Sequence, residues 1–384
     1  MLRRLGNMAC VLAGLVLAAC GSTSEPATKK SPMDTPESAV SKGMTNIEQG
    51  KYFVAEKAFE RALELEPEHV PARAGQIELA IETERYEDGW EALEKARETD
   101  PTDAQHRRLA TLEVRLIHAA QREDWYDSAQ DAFERAEGAV PGAKNHPELL
   151  HAMARAAMTA YRADQDPQRQ TDARRYARRL TKTDSPLSAD GQTMLTRFDR
   201  IERAQVQASP AVRDIATTQA LTRRQLALLL DDVLNLPEYL DGVQFNRAED
   251  GETNAQGQSD YAHLAEAEAI QYASRAPLRG LSIEDGWFRP KKTVTREAFA
   301  LVLQDLLRVR TGDENLTSKH FGNSSSPFSD VAPSRVSFGA IMTAVSRNLM
   351  AARNNGAFAP NDFVSGSVAI EALRQLRRVE PGSA

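Results

Sequence analysis

The feature that most restricts this chain is internal self-similarity. Tyr52 and Tyr86 stand 34 residues apart, as do Ala58 and Ala92, Ala62 and Ala96, and Pro67 and Pro101. A third copy follows after six extra residues: Tyr126, Ala132, Ala136 and Pro141 each lie 40 beyond the second. In all three copies the tyrosine precedes the proline by 15. A period of this size belongs to stacked supersecondary units, none of which can bury its apolar face alone.

The residue types give the unit its shape. Ala58-Phe59 and Ala62 become Ala92-Leu93 and Ala96, then Ala132-Phe133 and Ala136. Small residues one turn apart let two helices approach, and the large neighbour fills the space between them. Each proline stops its helix, since it lacks the amide hydrogen and clashes with the preceding turn. Thr35-Pro36-Glu37 reads as the first helix start, with a capping hydroxyl, proline at the first helical position and an acid behind it.

The repeat resembles the tetratricopeptide repeat, a 34-residue helix–turn–helix unit. The resemblance covers about residues 37 to 143, and Ala173, Ala177 and Leu180 carry a degenerate fourth copy between about Pro147 and Ser185. It implies a helical solenoid over 37–207, with 190–207 as a polar-faced capping helix. It also implies a concave groove that holds a protein or peptide. By that resemblance the groove face comprises Met44, Ile47, Glu48, Glu78, Ile81, Glu82, His118, Arg122, Met158 and Arg162. The alternative for each is ordinary inter-repeat packing or plain surface.

Beyond residue 207 the period changes to 70. It relates Ser259-Asp260 to Ser329-Asp330, Gly286-Trp287-Phe288-Arg289-Pro290 to Gly356-Ala357-Phe358-Ala359-Pro360, and Val294-Thr295 to Val364-Ser365. Each unit reads as a helix, a glycine turn, a short Phe-x-Pro segment and a second helix opened by a hydroxyl that can cap it. These units resemble the S-layer homology module. Pro327-Phe328-Ser329-Asp330-Val331 is a good module start, and Val294-Thr295-Arg296-Glu297-Ala298 is close to the signature of its second helix. Leu221-Thr222-Arg223 opens an earlier signature helix whose leading half is unrecognisable, and Ser365-Gly366-Ser367 has lost the arginine.

An all-α architecture follows: a tetratricopeptide-like solenoid, then an all-helical cluster of S-layer-homology-like modules over 208–384. Its signature helices are expected near 222–234, 295–307 and 365–378. The resemblance implies binding of cell-wall polysaccharide or peptidoglycan, with Thr222, Arg223, Thr295 and Arg296 as contacts and Trp287 as a stacking platform. An arginine fork suits the carboxylates such glycans carry. The alternative is that these arginines pair with acids of a neighbouring module and that Trp287 is core.

The N-terminus addresses the compartment. Met1-Leu2-Arg3-Arg4 is basic, and residues 8–19 are apolar but too short to cross a bilayer as a stable helix, which takes about 20 residues. The junction Leu17-Ala18-Ala19-Cys20-Gly21 resembles the lipobox of bacterial lipoproteins. That resemblance implies cleavage of a signal over 1–19 and acylation (palmitate among the acyl groups) of Cys20 as a membrane anchor. Gly21 after the cysteine implies the outer membrane, facing the periplasm. Residues 20–36, rich in Ser, Thr and Pro, read as a tether.

Composition narrows the chemistry. A net charge of −7 argues against nucleic acid as the main partner. The only cysteines are Cys10 and Cys20, so disulfides do not support the folded part. The seven histidines lack metal-ligand spacing, so no metal is expected, and no phosphate loop, dinucleotide fingerprint or nucleophile elbow is present. No cofactor and no enzymatic activity are expected. The leading expectation is a non-catalytic envelope adaptor with a lipid at one end, a partner groove between and a wall-directed module at the other. The competing one is a protein-docking lipoprotein of a secretion or polysaccharide-export assembly that binds no glycan.

Overall fold

The computed structural model describes residues 32–241, 259–353 and 355–382. The expected leader, Cys20, the expected tether up to residue 31 and residues 242–258 lie outside the described residues. Among the described residues there is no strand, and no helix is long and apolar enough to cross a membrane. The chain divides into two compact units that meet at Trp125/Tyr126, inside the third repeat, whereas the repeat period changes only after residue 207.

The first unit holds α1 (Pro36–Glu48), α2 (Tyr52–Leu65), α3 (Val70–Glu82), α4 (Tyr86–Glu98) and α5 (Asp103–Ala120). Thr35 caps α1, its hydroxyl accepting from the Ser38 amide at 3.2 Å, with Pro36 at the first helical position. α2 ends at Leu65 because Pro67 forces Glu66 out of the helical region, to φ −146° and ψ 97°. α1 lies against α2 and α3, and α3 against α4 and α5.

The alanine–large–alanine triplets are buried as the repeat requires. Phe59 shows why the spacing matters, because its ring lies against two glycines. A Cβ at Gly43 would come within 2.4 Å of that ring, and one at Gly75 within 2.2 Å. Only glycine at both positions lets α1 and α3 close over the phenylalanine.

The second unit begins with α6 (Trp125–Ala139), α7 (Pro147–Asp164), α8 (Pro167–Leu180) and α9 (Ser188–Gln205). Ala173, Ala177 and Leu180 of the fourth copy are buried. α9, expected as a polar-faced cap, buries Phe198, Ile201 and Ala204. It packs on α8 and also on α10 (Pro210–Thr217) and α16 (Gly366–Arg377), so both of its sides are covered. Arg200 and Arg203 pair with Glu371 of α16 at 3.3 and 3.0 Å. The end of the repeat array is therefore built into the next cluster, and this is why the compact unit does not start at 208.

That cluster adds α11 (Arg223–Leu234), the short α12 (Leu236–Tyr239), α13 (Ala267–Arg275), α14 (Arg296–Thr311) and α15 (Phe338–Ser346). A single core runs through it from Ala204 to Leu376. α11, α14 and α16 begin at the residues the signature predicts. The main chain just before them closes a three-membered ring: Val294 N–H donates to Leu221 C=O at 2.7 Å, Val364 N–H to Val294 C=O at 3.1 Å, and Leu221 N–H to Val364 C=O at 2.9 Å. Three modules thus meet around a pseudo-three-fold axis, each giving one amide and taking one carbonyl.

Candidate functional site

The two-fold repeat of Asp, Phe-x-Pro loop and signature arginine forms one device built twice. In the earlier copy Asp260 accepts the Phe288 and Arg289 amides at 3.1 and 2.7 Å. In the later copy Asp330 accepts the Phe358 and Ala359 amides at 2.8 and 2.7 Å. These bonds hold Arg289 and Ala359 at a left-handed φ of 57°, which costs roughly 1–2 kcal/mol for a residue with a Cβ. Burial pushes the Asp330 carboxyl up, but the amides of Phe358 and Ala359 outweigh it and keep its pKa below the ordinary value.

The arginine of the preceding signature helix grips the same loop from the other side. Arg223 is 4% exposed, and its Nε donates to the Phe288 carbonyl at 2.6 Å. One terminal nitrogen donates to Leu281 and Ser282 carbonyls at 3.1 and 2.8 Å, and the guanidinium lies 4.7 Å over the Phe288 ring. Arg296 repeats this against the next module, with Nε on the Phe358 carbonyl at 2.8 Å and a terminal nitrogen on the Ala351 carbonyl at 2.7 Å. Its guanidinium stands 4.6 Å over the Phe358 ring. Burial lowers the pKa of both arginines.

The expected glycan contacts are thus placed in the framework. Thr222 accepts the Gln225 amide at 3.3 Å and Thr295 the Ala298 amide at 3.1 Å, so both hydroxyls act as helix caps. Arg223 and Arg296 direct their donors to main-chain carbonyls, neither to an open groove nor chiefly to acids. Glu284 is the nearest carboxylate to Arg223, at 3.9 Å. Trp287 is half-buried in a tight turn with Glu284. Spacing could not reveal this, because the carbonyl partners lie 55 to 65 residues away and carry no side-chain signature.

The third signature helix explains its own deviation. At Gly366, the position of the missing arginine, a Cβ would stand 1.7 Å from the Ile215 carbonyl oxygen of α10. The Gly366 amide instead donates to Thr218 C=O at 3.0 Å. The first module presents the end of a helix where the others present a Phe-x-Pro loop, so there is no loop to grip and no room for a side chain.

Transposing the last two signature residues leaves Glu297 facing Arg335, whose Nε donates to it at 3.0 Å, and accepting from Ser337. The Arg335 bond, with help from Ser337, holds the Glu297 carboxyl below its ordinary value against burial. A depressed carboxyl contributes stability that is full above its unfolded pKa, about 4.3, and lost as pH falls through the lower folded value. Chemical denaturation across pH should therefore show Glu297→Gln less stable than wild type at pH 7. The difference should begin to shrink below about pH 4.3 and vanish only below the depressed folded pKa; a gap that does not shrink on acidification would sink this assignment.

The expected groove residues divide by role. Met44 and Ile47 pack on the Ala55–Phe59–Leu79 cluster, and Ile81 packs on the next cluster along. Glu78 is held by Arg108 at 2.9 Å and faces Arg115 at 3.8 Å. Arg122 pairs with Glu87 and lies over Trp90, while His118 stacks on Trp125. Glu48 and Glu82 are exposed. In the second unit Met158 is buried, and Arg162 is half-buried.

Arg162 has a neighbour that spacing did not point to. Arg197 of α9, also half-buried, is close enough for its charge to lower the Arg162 pKa, and among the described residues neither arginine has an ion pair with a carboxylate. Arg162 Nε is buried with no hydrogen-bond partner, and the Gln219 side-chain oxygen, in the orientation that satisfies both groups, accepts from the Arg162 guanidinium. Burial, then Arg197, brings the Arg162 pKa down to about 10. Two half-buried like charges with no counter-ion among the described residues are costly unless a ligand or partner supplies one.

Comparison with known families falls on both halves. Residues 46–112 match the tetratricopeptide repeat model, and residues 327–367 match the S-layer homology domain model. No curated protein and no solved structure shows significant similarity to the chain. The first match indicates a protein-interaction scaffold, and the second indicates cell-wall binding and association with the cell envelope; such domains are typically non-catalytic. The chain therefore joins a tetratricopeptide repeat region to an S-layer homology domain.

Proposed function

We propose that this protein is a non-catalytic adaptor of the cell envelope, anchored by a lipid on Cys20 at the outer membrane. Its repeat solenoid would take an acidic segment of a partner protein, and its S-layer-homology-like cluster would engage wall glycan. The observation that carries the partner chemistry is the Arg162–Arg197 pair, which has no carboxylate partner among the described residues and is backed by Gln219. A partner carboxylate meeting two guanidiniums would relieve their repulsion and satisfy the buried Nε. Charge-assisted bonds of this kind are worth about 1.5–3 kcal/mol each.

Binding of peptides pulled down with the purified protein tests this. Arg162→Ala and Arg197→Ala should each weaken an acidic-peptide partner by roughly 10- to 100-fold, in line with that range. Since removing one of two repelling charges relieves the free protein, its melting temperature should hold or rise. Unchanged affinity in both variants would overturn the acidic-segment reading.

A second reading, protein docking without glycan, is favoured by one observation: both signature arginines direct donors to main-chain carbonyls. Co-sedimentation with sacculi separates the two. Pelleting of wild type, retained by folded Trp287→Ala, would place the glycan contact away from the Phe-x-Pro loop. No pelleting with or without attached wall polymers leaves protein docking.

A further inference from the structure

The first repeat brings together three side chains that its sequence keeps apart. Glu37 lies in the first turn of α1, Glu66 is the residue that closes α2, and His69 opens α3. Pro67 sets this up, because the extended backbone it imposes on Glu66 turns the chain back towards His69. One potential ligand atom from each of the three lies within 4.8 Å of the others.

The histidine is the informative member. Its side chain is 8% exposed, and its Nε2 is buried with no hydrogen-bond partner. Its Nδ1 faces Glu66 Oε1 at 3.8 Å. That is too long for a hydrogen bond, which needs about 2.7–3.2 Å. Two ligands sharing one zinc ion, at bond lengths of about 2.0–2.2 Å and near-tetrahedral angles, stand roughly 3.3–3.6 Å apart, so a closing of a few tenths of an ångström would bring this pair to ligand spacing. Glu37 and Glu66 are exposed, so a modest rotamer change brings the second carboxylate in and leaves a fourth position to water. Two carboxylates also balance a dication, and the mixed nitrogen and oxygen set favours zinc over calcium or magnesium.

We propose that Glu37, Glu66 and His69 form a zinc-class metal site that clips the start of α1 to the turn between α2 and α3. Residue spacing conceals it, since Glu37 stands 29 residues before Glu66 and the sequence shows only an acid and a histidine three apart. The site is independent of the adaptor reading and stands or falls separately from it. A metal there would stabilise the N-terminal end of the solenoid, because binding to the folded state alone shifts unfolding by mass action.

Calorimetric titration of the chelator-treated protein with ZnCl2 provides the test, with CaCl2 as the all-oxygen control. One saturable zinc site is expected, with a rise in the melting temperature of the first unit and no competition from calcium. Glu37→Gln and Glu66→Gln change only exposed groups and keep the fold, so they carry the assignment; each should weaken zinc at least tenfold. Cobalt substitution should give the visible absorption of a low-coordinate site, lost in His69→Ala. No saturable binding, or zinc affinity unchanged from wild type in both glutamine variants, would overturn the proposal.

Discussion

Gly366→Arg, which restores the signature arginine to the third module, should unfold the second unit's three-module ring. The expected loss is about 3 kcal/mol or more, at the top of the range for forcing atoms into a packed site. The clash is with main chain: a Cβ would lie 1.7 Å from the Ile215 carbonyl oxygen and 2.6 Å from its carbon, and neither can swing aside as a side chain could. Displacing Gly366 also breaks its amide bond to Thr218 and disturbs the neighbouring Val364–Leu221 link. Gly366→Ala should lose nearly as much, since the first added carbon already collides. Urea denaturation, followed by Trp287 fluorescence in a background lacking Trp90 and Trp125, reads this unit. An unchanged midpoint for either variant would show that α10 does not close the ring as described.

Arg223→Ala should cost about 3–5 kcal/mol, the range for removing one partner from a buried charged network. It strands the carbonyls of Phe288, Leu281 and Ser282 and exposes the Phe288 ring on which the guanidinium rests. Arg223→Lys should recover little, because one ammonium cannot reach carbonyls arranged for a planar fork. The matching Arg296 substitution should cost less, as that guanidinium has fewer carbonyl partners and is less buried. The order wild type, Arg296→Ala, Arg223→Ala in urea midpoint is the expected result, and a reversed order would contradict it. Loss of sacculus binding in either variant therefore counts as evidence of a glycan contact only if the unit is still folded.

Legibility along the chain followed the range of the interactions. The alanine–large–alanine triplets and stop prolines identified the repeat helices because helix pairing is local and repeats with the helical period. Thr35, Thr222 and Thr295 were readable as helix starts because a cap acts within three residues. The Arg162–Arg197 pair was only half legible: Arg162 fell on the expected groove face, whereas Arg197 lay in a helix expected to be a polar cap. Its significance depends on the carboxylates that fail to meet it, and composition along the chain cannot report that.

By itself the sequence determined the helices, their two periods and the presence of a tetratricopeptide repeat region and an S-layer homology domain, since these depend on residue type at fixed short spacing. Only the tertiary structure decided what the signature arginines do. Their partners are carbonyls, which every residue possesses, so no pattern of side chains could mark Phe288 or Ala351 as acceptors. It likewise decided that Gly366 closes a ring and that Glu37 meets His69. Both depend on chain segments remote in sequence that come together only after the core has packed.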